Sequence, residues 1–558
     1  MEQIIRKAID QALLSFGLEN VSFSMEHPAD TTHGDYATNV AMVCAKEMEK
    51  SPREIAEQFR VALEGKIPHV VSIEIAGPGF LNFRLTRDFF SEKIASAITQ
   101  SDAWGKNDSL RGEEIIFEYT SPNLFKPLHI GNLVGNIVGE SISRLFEYGG
   151  ATLHRVNYPS DVGLTVAKGV WGLLETQGNA DDINAIGEAY RVGNTAYEDG
   201  SAKEAIEAIN RALYAGTDEK LNELRAHGIA TSRARLAELC TMLGTRFDAE
   251  FFESEVSEDG VRIVREHIGS VFEESEGAVI FRGERHGLHT RVFLNSQGLP
   301  TYEAKDVANF ARKCSLFPTW TRSYIVTGGE QREYFKVLIS ALREVFPEAK
   351  DKVIEHIATG FLTLTTGKMS SRKGNVLTGE SLLSEVREGA RERAKESRAE
   401  DMEALTEMVA VAAIKYQILR QAVGGDIVFD KERALSLEGD SGPYLQYTHA
   451  RIASILQKAH DAGMVPNTTP TTEVPYDLEK VCYQFPEIVR KAQRENAPHY
   501  LVTYLTALAS AFNAFYAHEQ IVAPDDFHAP YKLALASAVK TTLHNGLSLL
   551  GIKAPEKM

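Results

Sequence analysis

The sequence predicts an α/β protein whose central part is a mainly parallel, doubly wound sheet and whose C-terminal part is helical. Short apolar runs at 115–119, 278–281 and 324–326 have the length and residue types of strands. Helical patterns lie between these runs, and alternation of strands with helices is typical of a parallel sheet. From about residue 404 onward the strand signals nearly vanish, which predicts a helical bundle.

The composition is that of a globular protein with more than one domain. A chain of 558 residues exceeds one typical core, so we expect about two to four domains. Hydrophobic residues make up 43% and charged residues 25% of the chain, as in ordinary globular domains. No apolar stretch reaches the roughly eighteen residues of a membrane helix, and Arg6, Lys7 and Asp10 interrupt the apolar residues near the N-terminus. We therefore expect a cytoplasmic protein without a membrane segment.

Cysteine spacing weighs against a zinc site and a disulfide framework, and net charge weighs against general nucleic-acid binding. Cys44, Cys240, Cys314 and Cys482 stand singly, without a CxxC pair, so neither a zinc site nor a disulfide framework is predicted. The net charge of -17 opposes a general nucleic-acid binder, because such proteins need Lys and Arg at phosphates. A local basic stripe is still compatible with this charge, since salt screens distant acidic groups.

Residues 1–108 are predicted to form a separate α+β domain. A helix that begins with a capping box of Ser51 and Glu54 precedes strand patterns at 70–75 and 80–85. This part of the sequence contains no evident catalytic constellation.

The stretch 114–147 is predicted to be a strand, a polar loop and a helix. Residues 121–123 break the strand, and a helical pattern begins near Leu128. The free N–H groups and the positive dipole end of such a helix favour an anion over the end of the strand. Gly131 has no side chain, so that a flat base or a phosphate could come close. An ordinary strand–helix unit with a hydrogen-bonded His129 would explain the same residues.

The remaining elements complete the sheet and divide the chain. A second core strand with its loop is predicted at 155–161, a helical insertion at 188–258 and a further strand at 290–294. In such sheets, ligands bind at the carboxyl ends of the strands near the point where the strand order reverses. The predicted domains are 1–108, 109–435 and 436–558.

Several motifs resemble those of one family. The segment PLHIGN at 127–132 resembles the HIGH signature of class I aminoacyl-tRNA synthetases, and the preceding EYTSPN resembles the form found in arginyl-tRNA synthetases. The basic segment GKMSSRKG at 367–374 is similar to the second signature of the class. HGDYATN and AGPGFLNFRL resemble the N-terminal domain of these enzymes, and GPYLQYTHAR resembles their anticodon-binding domain. The resemblance spans nearly the whole chain. It implies a Rossmann-like catalytic core of class I, an additional N-terminal tRNA-binding domain and an all-α anticodon-binding bundle.

The resemblance implies that ATP, L-arginine and tRNA(Arg) give arginyl-tRNA, AMP and pyrophosphate. No protein nucleophile is needed, because activation depends on positioning and on stabilising charge at phosphates. Mg²⁺ would accompany ATP, held by phosphates and water, and no protein metal ligands are named. The residues implied at ATP are His129, Gly131, Asn132, Lys368, Met369, Ser370, Ser371, Arg372 and Lys373.

The resemblance also implies an arginine pocket. A guanidinium is a planar fork of donors that carboxylates bind best, and a pocket of charged hydrogen bonds should reject lysine without proofreading. The residues implied at the guanidinium are Asp306, Tyr302, Glu253 and Glu118, and those at the amino and carboxylate end are Ser121, Asn123 and Gln331.

Contacts with tRNA(Arg) are implied at both ends of the chain. Phe80 and Asn82 are expected to contact tRNA from the N-terminal domain, although ordinary strand positions would explain them equally well. Tyr516 and Met558 are expected at the anticodon. A monomer is expected, and so is the family's general requirement for tRNA during amino-acid activation.

Two positions depart from the signatures and keep alternatives open. Asn132 replaces the second histidine of HIGH, and Ser371 replaces the second lysine of the basic motif. The alternatives are a class I synthetase for another amino acid, a non-catalytic tRNA-binding paralogue and a small-molecule nucleotidyltransferase. The scattered cysteines disfavour a cysteine enzyme, the retained Lys368 and Arg372 disfavour the paralogue, and the helical C-terminal domain disfavours the nucleotidyltransferase.

Overall fold

The computed structural model describes residues 1–28, 30–365, 378–394 and 401–558. The N-terminal part is an antiparallel sheet packed with helices. Its elements are α1 (Glu2–Ser15), β1 (Met25–Glu26), β2 (Tyr36–Thr38), α2 (Val40–Cys44), α3 (Pro52–Leu63), β3 (Val70–Ala76), β4 (Phe80–Leu85) and α4 (Arg87–Gln100). The strand order is β1-β2-β4-β3. The predicted capping box of Ser51 and Glu54 is present at the start of α3.

The central part is built on a parallel sheet. Its elements are β5 (Glu114–Glu118), α5 (Ile130–Tyr148), β6 (Thr152–Asn157), α6 (Leu164–Thr176), α7 (Ile183–Glu198), α8 (Lys203–Ala215), α9 (Glu219–Leu243), β7 (Ala249–Glu250), α10 (Glu253–Glu266), β8 (Glu273–Ser275), β9 (Ala278–Phe281), β10 (Arg291–Leu294), α11 (Tyr302–Leu316), β11 (Arg322–Gly328), α12 (Arg332–Val345), β12 (Val353–Thr359), β13 (Leu362–Leu364) and α13 (Gly379–Ala394). The parallel strands have the order β12-β11-β5-β6-β7, which confirms the predicted doubly wound sheet.

The two faces of this sheet bury different helices because side chains alternate along each strand. Phe117 of β5 packs in the core that contains α5, whereas the adjacent Ile116 packs in the core that contains α10, α11 and α12. The carboxyl end of β5 therefore lies between two packed layers, which fixes the positions of the residues that follow it.

Two predicted features of the central part differ from the structure. The strands at 278–281 and 290–294 do not extend the parallel sheet; β9 and β10 form an antiparallel sheet in the order β10-β9-β8. The predicted helical insertion at 188–258 is interrupted by β7, which pairs in parallel with β6. Hydrophobic periodicity reports burial and not the partner strand, and a two-residue strand leaves no pattern.

The C-terminal part is helical, as predicted. Its elements are α14 (Met402–Leu419), β14 (Ile427–Phe429), α15 (Lys431–Ala434), α16 (Gly442–Asp461), α17 (Asp477–Cys482), α18 (Phe485–Arg494), α19 (His499–His518) and α20 (Ala529–Leu549). α14 precedes the predicted boundary at residue 435 and packs against both α5 and α16, so one hydrophobic core continues from the sheet into the bundle. Within the described ranges, no helix has the length and apolarity needed to cross a membrane.

Candidate active site

The loop between β5 and α5 has a strained backbone. Thr120, Ser121 and Phe125 have positive φ values of 80°, 37° and 65°, a region that is costly for residues with a Cβ and most costly for β-branched ones. The Ser121 amide donates to Asn157 Oδ1 at 3.1 Å, and the Tyr158 amide donates to Ser121 Oγ at 3.3 Å. Strain of this kind is concentrated at functional sites and persists where the surroundings enforce it.

Phe125 anchors this loop in the helical insertion. Its ring is fully buried and lies against Gly169 of α6 and Gly228 of α9. A Cβ at Gly228 would lie 2.1 Å from Phe125 Cζ, and one at Gly169 would lie 2.6 Å from Phe125 Cδ1. Glycine at both positions therefore makes room for the ring. No sequence motif indicated this anchoring role, because it depends on contacts between residues far apart in the chain.

His129 is the N-cap residue of α5, and its Nδ1 accepts a hydrogen bond from the Gly131 amide at 3.1 Å. In a neutral imidazole an accepting Nδ1 places the proton on Nε2. Partial desolvation and the charge of Lys126 lower the pKa of His129, so the ring is neutral at pH 7. His129 therefore presents an Nε2–H donor beside the free N–H groups of α5, as an anion site requires.

Lys126 is a site residue that the motifs did not single out. Partial burial and the charge of Lys168 lower its pKa, and its Nζ lies 6.0 Å from the centroid of the Tyr190 ring. Among the described residues, no carboxylate lies within ion-pairing distance of this Nζ. A cation without a counter-charge, three residues before His129, suits a phosphate. The sequence signal that could have identified Lys126 is its position between the two family-like segments EYTSPN and PLHIGN.

Glu118 and Glu253 both lie close enough to Asp306 for their charges to act on it, and each has a lysine partner. Glu118 accepts from Lys313 Nζ at 2.6 Å, and Glu253 accepts from Lys305 Nζ at 2.8 Å. All four residues are buried. Their charges are therefore already paired, which disfavours either carboxylate, predicted beside Asp306, as a direct guanidinium partner.

Asp306 differs from both of these carboxylates. It is half-buried on α11, and its Oδ2 accepts from Tyr334 Oη at 2.5 Å, but no cation among the described residues lies within ion-pairing distance. Desolvation of the carboxyl group, together with the charges of Glu118 and Glu253, raises the pKa of Asp306 to about 8, although the Tyr334 hydrogen bond and the charge of Lys313 oppose this rise. The Tyr158 hydroxyl, in the field of the same carboxylates, is buried without a hydrogen-bond partner in the described ranges. Asp306 and the Tyr158 hydroxyl are therefore groups that a ligand cation with several donors could satisfy.

The other residues predicted to bind arginine differ in their location and solvent exposure. Ser121 and Asn123 both lie in the strained loop, and the backbone of Asn123 forms an isolated parallel β-bridge with Ser160. Tyr302 is 63% exposed, with its ring centroid 5.4 Å from Lys305 Nζ, and Gln331 is exposed just before α12. Their roles stay predictions. The predicted ATP-binding residues Lys368, Met369, Ser370, Ser371, Arg372 and Lys373 lie outside the described residues.

The residues predicted to contact tRNA differ in accessibility. Tyr516 is 43% exposed, and the Arg451 guanidinium lies 5.9 Å from its ring centroid. Phe80 is half-buried at the start of β4, whereas Asn82 is buried within that strand. Met558 is partly buried against the main core. Burial disfavours direct tRNA contacts for Asn82 and Met558, and all four assignments stay predictions.

Comparison with known proteins determines the family. The protein-family model described as "tRNA synthetases class I (R), catalytic domain" matches residues 93–431. "Arginyl tRNA synthetase N terminal domain" matches 1–85, and "DALR anticodon binding domain" matches 445–558. The chain belongs to the arginyl-tRNA synthetase family. The family and fold that the motifs implied are thereby confirmed; the domain boundaries at 108 and 435 stay predictions.

Individual relatives agree over the full length. An arginine–tRNA ligase of Limosilactobacillus reuteri is 30% identical and is matched over 100% of both chains. One of Halothermothrix orenii is 29% identical over 99% of this chain and 98% of its own. The structure of Thermus thermophilus arginyl-tRNA synthetase has a TM-score of 0.82 at 26% identity, with 100% of both chains covered. The Plasmodium falciparum structure has a TM-score of 0.77 at 20% identity, over 100% of this chain and 98% of its own, and supports the fold alone.

Proposed function

We propose that this arginyl-tRNA synthetase family member joins L-arginine to tRNA(Arg) with ATP, giving arginyl-tRNA, AMP and pyrophosphate, and that Asp306 selects the amino acid. The observation that carries the assignment is the Asp306 carboxyl group. It is desolvated, its pKa is raised to about 8 in spite of the nearby charge of Lys313, and it forms no ion pair in the described ranges. Two neighbouring carboxylates in the same pocket already have lysine partners.

A bound guanidinium would satisfy this pocket in two ways. Its planar fork can donate two parallel hydrogen bonds to Asp306, and a further N–H can donate to the unpartnered Tyr158 hydroxyl. A lysine ammonium is a compact charge that cannot make both contacts in one plane. The cost of leaving these groups unpaired is the basis of discrimination against lysine.

At the other end of the site, the arginine carboxylate attacks the α-phosphorus of ATP and pyrophosphate leaves. We assign His129 Nε2–H, Lys126 and the free N–H groups of α5 to the phosphates, which they stabilise as negative charge develops. Lys368, Arg372 and Lys373 are proposed to contact the leaving pyrophosphate. Mg²⁺ is proposed to be bound by phosphate and water oxygens, because the groups proposed at the phosphates are nitrogen donors, which Mg²⁺ does not prefer.

The finer assignments are also proposals. Tyr516 is proposed as an anticodon contact because its ring is accessible beside Arg451. We keep 1–108, 109–435 and 436–558 as proposed domains, and a cytoplasmic monomer as the proposed working form, since charged tRNA is used where translation occurs. Light scattering of the purified chain measures the oligomeric state directly.

The test is aminoacylation of total tRNA with arginine, lysine or cysteine by the wild type and by Asp306→Asn. We expect charging with arginine alone, and a loss of at least about 100-fold in kcat/KM for arginine in D306N, because the asparagine keeps the shape but not the charge. Asp259→Asn is the control, since Asp259 pairs with Arg262 on an exposed part of α10. Charging with lysine or cysteine would overturn the proposed function. Retention of arginine charging within about threefold in D306N would overturn the assignment to Asp306.

A further inference from the structure

Thr120 is the most strained residue of the loop between β5 and α5. It has a φ of 80° and a β-branched side chain, and it is 4% exposed. This combination is a genuine outlier for a β-branched residue. Thr120 lies between Glu118, at the end of β5, and Ser121, so its conformation sets the direction in which the chain leaves the sheet.

Two asparagines on successive turns of α5 hold Thr120 in this conformation. Asn132 Nδ2 donates to the Thr120 carbonyl oxygen at 2.8 Å, and Asn136 Nδ2 donates to Thr120 Oγ1 at 2.9 Å. Asn136 is itself oriented by Thr245 Oγ1, which donates to its Oδ1 at 2.9 Å. We call these three residues, Asn132, Asn136 and Thr245, the Thr120 clamp.

We propose that Asn132 is a positioning residue, which acts through Thr120 and not by binding ATP. The inference rests on the proposed function, since the loop it orients carries the residues assigned to arginine and ATP. The donor geometry supports it, because one of the two Nδ2 hydrogens of Asn132 is directed at the Thr120 carbonyl oxygen at 2.8 Å. The amide is also a neutral donor at every pH, whereas a histidine at this position would titrate.

The consequence of losing the clamp follows from the backbone preference of threonine. Without its partners, Thr120 would relax towards negative φ. That rotation would move the Ser121 amide, which now donates to Asn157 Oδ1 at 3.1 Å, and would displace the segment that leads to His129. The expected defect is therefore in the fraction of enzyme with an aligned site, which lowers kcat more than it raises the KM for ATP.

The test is a double-mutant cycle between Asn132 and Thr120, measured by arginine charging of tRNA. We expect Asn132→Ala to lower kcat about tenfold, as for loss of one well-placed hydrogen bond to a strained residue, with the KM for ATP changed less than about twofold. In a Thr120→Gly background the same substitution should cost less than about twofold, because glycine adopts positive φ without strain. Asn132→Asp should be at least as impaired as N132A, since a carboxylate only accepts hydrogen bonds.

The controls separate positioning from general structural damage. Asn136→Ala should give the same split between kcat and KM, and so provides a second reading if N132A folds poorly. Asn222→Ala removes a similar side-chain hydrogen bond to a backbone carbonyl, that of Gly216 at 3.0 Å, away from the site, and should leave kcat unchanged. Thermal unfolding of each variant corrects the rates for the folded fraction.

Two outcomes would overturn the inference. A rise of about tenfold in the KM for ATP with unchanged kcat would identify Asn132 as a direct ATP ligand, and an equal N132A effect in both Thr120 backgrounds would exclude action through Thr120. Failure of the proposed function is a different result, because then the wild type itself would not charge arginine.

Discussion

Asp306 in the proposed arginine pocket and Glu487 between the N-terminal domain and the helical bundle are both desolvated carboxylates, with opposite surroundings. The Glu487 side chain is 8% exposed and accepts from Tyr36 Oη at 2.8 Å and from His27 Nε2 at 3.2 Å. Asp306 accepts one hydrogen bond, from Tyr334 Oη at 2.5 Å, among the residues described. Glu487, whose hydrogen-bond donors come from the N-terminal domain, joins two parts of the fold. Asp306, which has one hydrogen-bond donor among the described residues, is suited to bind a ligand.

The two pKa values express this difference. Burial alone would raise the pKa of Glu487, but the hydrogen bond from His27 and the charge of the α-amino group hold it well below its usual value. Glu487 therefore contributes stability that is present above its unfolded pKa and is lost as the pH falls. The pKa of Asp306 is raised from 3.8 to about 8, so its contribution is present below pH 3.8 and is lost as the pH rises through about 8.

The largest expected effect is a difference in protein stability between substitutions of the two carboxylates. Glu487→Gln should lower the free energy of unfolding by about 3 kcal/mol, because it removes the charge from a desolvated, paired site. Asp306→Asn should lower it by less than about 0.5 kcal/mol at pH 7, since the amide can still accept from Tyr334. Denaturant unfolding measures both values. Equal losses in the two variants would contradict the division into a structural and a ligand-binding carboxylate.

A smaller effect should appear in the pH dependence of arginine binding. Asp306, with a pKa of about 8, is mostly protonated at pH 7 and must ionise to pair with a guanidinium. Between pH 7 and pH 8 the KM for arginine should therefore fall about fivefold. Calorimetry in buffers of different ionisation enthalpy should show release of about 0.9 proton at pH 7.

The control for this pH effect is D306N, in which both the proton release and the pH dependence should disappear. If they persist in that variant, the titrating group is another residue of the site, and the contrast between Asp306 and Glu487 loses its functional meaning.

The smallest expected effect concerns the Tyr158 hydroxyl. Tyr158→Phe should raise the KM for arginine about threefold, as expected for one neutral hydrogen bond to a charged ligand. The ligand-free protein should not lose stability, because this hydroxyl is buried without a partner in the described ranges. Tyr500→Phe, which removes an exposed hydroxyl that donates to Glu495 at 2.7 Å, is the matched control. A loss of unliganded stability in Y158F alone would indicate that the hydroxyl has a structural partner.

The course of the chain through the site was predictable. The strand, loop and helix expected at 114–147 appear as β5, the strained loop and α5, because apolar periodicity and the residues that break it act locally. The helical C-terminal part followed from the same kind of signal. β7 was missed, and β9 and β10 were not distinguished from the parallel sheet, since pairing is decided by distant strands.

The chemistry of individual site residues was less predictable. His129 could be placed at a helix N-terminus, but its neutral state and Nε2–H follow from the Gly131 amide and from Lys126. The resemblance implied Asp306 first, and then Glu253 and Glu118, at the guanidinium, but residue type alone did not show how their surroundings differ. Lys313 and Lys305 distinguish them by pairing with Glu118 and Glu253. Both lysines lie on α11, 195 and 52 residues away in sequence from Glu118 and Glu253.

The sequence by itself therefore determined the family, the order of strands and helices around the site and the types of donor and acceptor that arginine and ATP would require. These properties depend on residue type and short-range spacing. Only the tertiary structure decided which carboxylate lacks a cation, which asparagine holds Thr120 and which glycines make room for Phe125. Desolvation, ion pairing and backbone strain depend on atoms that are close in space and far apart in sequence.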